Sequence, residues 1–161
     1  MVKHRSRFGE EFAIEPPFEH ASRMSKLSDV LQLRVRYSET DQMGTFYNSR
    51  ALEWFECGRT ELMRSRMGMS YAELERQGVM LPLVEAHLEF KGPAKYDDLL
   101  EIASTVQFFG RARLKFTVEI HQAETRRRVV SGYTIHAFMD REGKPLRPPA
   151  DFVDRFEKAA A

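Results

Sequence analysis

The chain has 161 residues, of which 42% are hydrophobic and 30% charged, with a formal net charge of +1. This is the size of one packed domain with tails, and the composition excludes an intrinsically disordered chain. So small a net charge also excludes a global field for nucleic acid or an anionic membrane, leaving any phosphate to be held by a local basic cluster.

Residues 1–29 contain Pro16-Pro17 and no sustained periodicity, as expected of an arm or tag-like extension, with Met24 a second candidate start. The domain proper is expected over 30–161. No segment has the apolar length of a bilayer span or of a signal-peptide core. Glu10, Glu11 and Glu15 argue against an organelle transit peptide. The single cysteine, Cys57, leaves no internal disulfide and fits a reducing compartment, so a cytoplasmic location is the expectation.

Apolar and polar residues alternate over Leu31-Gln32-Leu33-Arg34-Val35-Arg36-Tyr37, which predicts a first strand buried on one face. After a loop from Ser38 to Phe46 the period lengthens. From about Tyr47 to Met67, Ala51, Phe55, Gly58 and Leu62 share one face, and Glu53, Glu56, Thr60 and Arg64 the other. That spacing predicts a long amphipathic helix, capped by Asn48 or Ser49 and ended by Gly68.

A short helix is predicted at Tyr71–Arg76. The second strand places Val84, Ala86, Leu88 and Phe90 on its apolar face, and the third Leu100, Ile102, Val106 and Phe108 before a turn at Gly110. The fourth aligns Leu114, Phe116, Val118 and Ile120; Arg126-Arg127-Arg128 marks the next reversal, and a fifth runs from Val129 to Met139. A turn-rich exit, Asp140 to Pro149, leads to a short terminal helix with Phe152, Val153 and Phe156. One long helix followed by four hairpin-connected strands predicts an α+β fold in which the helix lies in a curved antiparallel sheet. Open edge strands predict pairing with a second subunit.

The loop Tyr37-Ser38-Glu39-Thr40-Asp41-Gln42-Met43-Gly44-Thr45-Phe46-Tyr47-Asn48 sets a carboxylate just ahead of a helix N-terminus. Unpaired amides and the helix dipole there could polarise a carbonyl and hold an oxyanion, while Asp41 serves as nucleophile or general base. Gly44 allows close backbone approach. Read from the residues alone, a turn or capping role for Asp41 is the commoner one.

This loop resembles the active-site loop of the 4-hydroxybenzoyl-CoA thioesterase family of hotdog-fold enzymes, in which an aspartate precedes a glycine by three residues and a helix begins soon after. Asp41 and Gly44 match that spacing. Glu56 and Arg59 in Trp54-Phe55-Glu56-Cys57-Gly58-Arg59, and Ala94-Lys95-Tyr96-Asp97-Asp98, extend the resemblance from about Leu31 to Pro148. It implies a hotdog fold, a long central helix wrapped by a five-stranded antiparallel sheet, and hydrolysis of an acyl-CoA thioester. Asp41 would attack the carbonyl or activate water, and the backbone amide of Asn48 would polarise it, with Tyr47 and Gly44 completing the site. Asn48 stands where the family often has Tyr or His, and Ala51 where an aromatic is common. Homodimers and homotetramers both occur in the family.

Arg111 and Arg113 match a family segment that contacts the nucleotide phosphates of coenzyme A, a role suited to a bidentate guanidinium. The alternative is a solvated hairpin end. Arg126-Arg127-Arg128 could act similarly from a neighbouring subunit, though a charged hairpin tip is the commoner reading. Glu53 and Glu56 read as solvated helix residues, Glu56 paired with a base, and Cys57 as packing. Trp54, Phe55, Met63 and Met67 read as core or dimer contacts. His87, His121 and His136 lack metal-ligand spacing, and no cofactor or metal is expected. Other function classes are a silent acyl-CoA-binding module, and a hotdog dehydratase or hydratase, which would want a histidine near the loop.

Overall fold

The computed structural model describes residues 25–161. Pro16-Pro17 and Met24 lie outside the described residues. Five strands, β1 (Leu27–Arg34), β2 (Leu83–Phe90), β3 (Leu99–Phe108), β4 (Arg113–Gln122) and β5 (Arg128–Ala137), form one antiparallel sheet in the order β1-β3-β4-β5-β2. The long helix α1 (Arg50–Met67) packs on β1 and β3 and touches β4; α2 (Tyr71–Arg76) follows it and α3 (Ala150–Ala160) closes the chain. This is the predicted α+β arrangement.

Inward positions of β3 and β4 alternate as the sequence predicts: Leu100, Ile102, Val106 and Phe108, with Leu114, Phe116, Val118 and Ile120, are buried. They meet Ala51, Phe55, Gly58 and Leu62 on the buried face of α1. Gly68 ends that helix in the left-handed conformation, at φ +60°.

Four expectations change. First, β1 begins at Leu27, ahead of the expected domain start at 30, and stops at Arg34 rather than Tyr37. Its early register is masked by polarity, because Asp29 faces the helix and hydrogen-bonds Ser65, while Val30 points to solvent.

Second, α1 starts at Arg50, and neither Asn48 nor Ser49 caps it with a side chain. The amides of Arg50 and Ala51 bond to the carbonyls of Tyr47 and Asn48 instead, a tight first turn.

Third, β2 and β3 are not a hairpin. β2 pairs with β5 at one edge and β3 with β1 at the other. Residues 91–98 cross the end of the sheet as a strap, tied by Lys91 N–H to Val129 O (2.8 Å) and Asp97 N–H to Val35 O (2.9 Å). Pairing β2 with β5 also leaves it an edge strand, with Val84 45% and Phe90 51% exposed where a buried face was expected.

Fourth, the terminal helix is a full 11 residues. Phe152 and Phe156 sit buried against Phe108, and Arg155 donates to the carbonyl of Gly68 at the end of α1 (2.8 Å).

Candidate active site

The loop between β1 and α1 rests on the 91–98 strap. Phe46 N–H donates to Ala94 O at 2.9 Å, Thr45 Oγ1 exchanges hydrogen bonds with the Ala94 backbone, and Thr40 and Phe46 form an isolated antiparallel bridge. Phe46 is buried, its ring 4.9 Å from that of Trp54 on α1. The bridge pinches off a short reverse turn with Asp41 at its start.

Within that turn Asp41 N–H donates to Thr45 O (2.8 Å), Gly44 N–H donates to Asp41 O (3.1 Å), and Met43 N–H donates to Asp41 Oδ1 (2.8 Å). This is an Asx turn, so one carboxylate oxygen orients the side chain and Oδ2 stays available. Gly44 adopts φ +75°, a conformation that disfavours a side chain. Asp41 is thus a turn former, and its Oδ2 accepts no hydrogen bond among the described residues.

Seven residues on, the amides of Asn48 and Ser49 have no hydrogen-bond acceptor among the described residues. They open the helix where backbone donors are left over and the dipole is positive. Tyr47 is exposed, and its amide is used by Glu39 O at 2.8 Å, so of the three successive amides only those of Asn48 and Ser49 are free.

Glu39 was not singled out from the sequence. Its side chain is 1% exposed, and Oε2 accepts from Arg36 N–H (2.7 Å) while Oε1 accepts from Arg36 Nη2 (2.9 Å) and Trp54 Nε1 (3.0 Å). Burial pushes its pKa up, but the hydrogen bonds from Arg36 and Trp54 outweigh that and hold the carboxyl below its ordinary range. The available signal was Arg36 three residues ahead of an acid, the spacing of a capping box, which the structure shows here.

Arg111 and Arg113 are exposed beside the Gly110 turn, as predicted, but at the other end of the sheet from Asp41. β3 runs from Leu100, opposite Leu33 near the loop, to Phe108, opposite Leu114 near that turn. Eight residues of rise make this about 27 Å. One protomer therefore does not bring these arginines to its own Asp41. The Arg126–Arg128 turn lies at the loop's end, since Lys91 and Gly92 of the strap both donate to Val129 O; Arg126 pairs with Glu101.

Glu53 pairs with Arg50 (2.5 Å), whereas Glu56 is exposed and has no ion pair among the described residues. Cys57 is exposed rather than packed, and desolvation together with neighbouring Glu56 pushes its thiol up, away from a reactive thiolate. Trp54, Phe55, Met63 and Met67 are core residues.

Comparison with known proteins identifies the family. The sequence profile of the thioesterase-like superfamily matches residues 35–156. A Bacillus subtilis relative, provisionally named acyl-CoA thioesterase YneP, is 29% identical over 132 residues, covering 80% of this chain and 94% of its own. Acyl-CoA thioester hydrolase YbgC of Shigella flexneri is 32% identical over 92 residues, 57% of this chain and 68% of its own. Among solved structures, DHNA-CoA thioesterase from Staphylococcus aureus superposes with a TM-score of 0.75 at 27% identity, covering 81% of this chain and 89% of that one. With its helix packed on a five-stranded antiparallel sheet in hotdog fashion, the chain belongs to the thioesterase-like superfamily.

Proposed function

We propose that this chain hydrolyses acyl-CoA thioesters, with Asp41 as nucleophile or general base and the Asn48 amide as the polarising donor. The reading is supported by an oriented carboxylate with one oxygen free and, seven residues on, an unused amide ahead of α1. As a base, Asp41 takes a proton from water as its oxygen bonds to the thioester carbon. The carbonyl electrons move onto an oxyanion held by the amide, then re-form the double bond as the carbon–sulfur bond breaks. Coenzyme A leaves as a thiolate and takes up a proton. As a nucleophile, Asp41 forms a mixed anhydride that water then opens.

The second part of the reading is a homo-oligomer. β2 offers an open edge with Val84 and Phe90 exposed. Antiparallel pairing of two β2 strands about a two-fold axis would set the Gly110 end of one copy beside the Asp41 end of the other. Arg111 and Arg113 of that copy would then be available to the coenzyme A phosphates.

A panel of acyl-CoAs with a thiol reagent tests the activity, since hydrolysis releases free coenzyme A and binding alone does not. Release from some member is expected; none from any would overturn the reading. Label in the Asp41 carboxylate after single turnover in oxygen-18 water would mark the nucleophilic route, since it arises only when water enters an anhydride at the aspartyl carbon.

A further inference from the structure

We infer that Glu39 is the positioning residue of this site, a buried carboxylate that fixes the Asp41 turn against the first turn of α1. The inference rests on the catalytic reading of Asp41 and Asn48. Glu39 binds both sides of the site at once. Its side chain joins the backbone and guanidinium of Arg36, two residues past β1, to the indole of Trp54 inside α1. Its own carbonyl receives the amide of Tyr47, the residue directly before Asn48, at 2.8 Å. Asp41 stands two residues after Glu39, so the acid and the free amide are both measured from this one residue.

Charge matters to the arrangement as well as shape. An ionised carboxylate accepts all three donors, whereas an amide or a protonated acid must turn a donor toward Arg36 or Trp54 and lose at least one bond. The other titratable groups whose fields reach the Arg36–Glu39 pair are Glu53 and Cys57, both on α1. A shift of about 1 Å between acid and amide is enough to cost about 100-fold in rate while leaving substrate binding largely intact.

The test compares Glu39→Gln, Glu39→Asp and Trp54→Phe with the parent enzyme on the best acyl-CoA of the panel, with Trp54 emission as a second readout. Trp54 is the only tryptophan of the chain, so its emission reads the indole bond directly. For Glu39→Gln we expect kcat lower by between about 10- and 100-fold with KM within about 3-fold. Glu39→Asp should recover part of that loss, because it keeps the charge on a shorter arm. Acidifying the parent should shift Trp54 emission, and Glu39→Gln should show the shifted emission already at pH 7 with no further titration.

Parental kcat in Glu39→Gln would overturn the inference, as would equal losses in Glu39→Gln and Glu39→Asp. If Glu39→Gln does not fold, Trp54→Phe decides: it deletes one bond and keeps the Arg36 pair, and it should lower kcat several-fold at constant KM. An unchanged kcat there would sink the idea. A parent enzyme inactive on every acyl-CoA would instead remove the catalytic reading itself.

Discussion

Gly58 of α1 and Ser104 of β3 touch where no side chain fits: a Cβ on Gly58 would stand 2.4 Å from Ser104 Oγ and 2.7 Å from Ile102 Cγ2. This contact lets the helix pack closely on the sheet. Gly58→Ala is therefore expected to destabilise the fold by about 2 kcal/mol through overpacking, despite the better helix propensity of alanine. Urea unfolding measures this. Adding Ser104→Ala should restore only part of the loss, since the Ile102 contact remains; full stability in the single variant would contradict the packing account.

His136 is fully buried on β5, with Nδ1 3.0 Å from Leu81 O and Nε2 3.1 Å from Thr134 Oγ1. A neutral ring satisfies both by donating to the carbonyl and accepting from the hydroxyl. Burial, helped by the charge of Arg59 and opposed by the Leu81 carbonyl, lowers its pKa from 6.5 to about 4. The unfolded chain thus binds the extra proton first on acidification. Stability from this residue is complete above pH 6.5 and drains away as pH falls toward 4, by about 3 kcal/mol at most. Melting temperature against pH should show a slope across that window that His136→Gln flattens. An unchanged slope would place the acid sensitivity elsewhere.

In the proposed dimer Arg111 and Arg113 would meet the nucleotide end of an acyl-CoA, remote from the reacting carbonyl. Arg111→Ala should therefore raise KM for acyl-CoA about 10-fold, a loss of about 1.4 kcal/mol of uniform binding, and leave kcat within about 2-fold. A truncated thioester lacking the nucleotide should not register the change. Steady-state kinetics on both substrates decides it. Equal effects on the two would detach these arginines from the phosphates.

Much of this architecture was legible in the chain because hydrophobic periodicity reports burial directly. β3, β4 and α1 are buried along one face, and their inward residues were readable one by one. β2 was misplaced because its apolar alternation resembles that of a buried hairpin partner, while which strand it pairs with depends on the 91–98 crossing, a long-range fact. The start of β1 is hidden in the sequence because Asp29 occupies an inward position as a hydrogen-bonding residue. At the site, the spacing from Asp41 to Gly44 and Asn48 was local and visible. Glu39 was not, since its importance comes from Trp54, fifteen residues away, folding back onto it.

The proposed hydrolysis depends on the charge at residue 41, and Asp41→Asn isolates it. Asparagine keeps an Oδ1 acceptor for Met43 N–H, so the Asx turn and the fold should survive while the base or nucleophile is lost. Coenzyme A release by this variant is the measurement. A fall in kcat of about 1,000-fold, with KM and melting temperature near the parent values, is the predicted result. Turnover at the parent rate in a folded Asp41→Asn enzyme would contradict it.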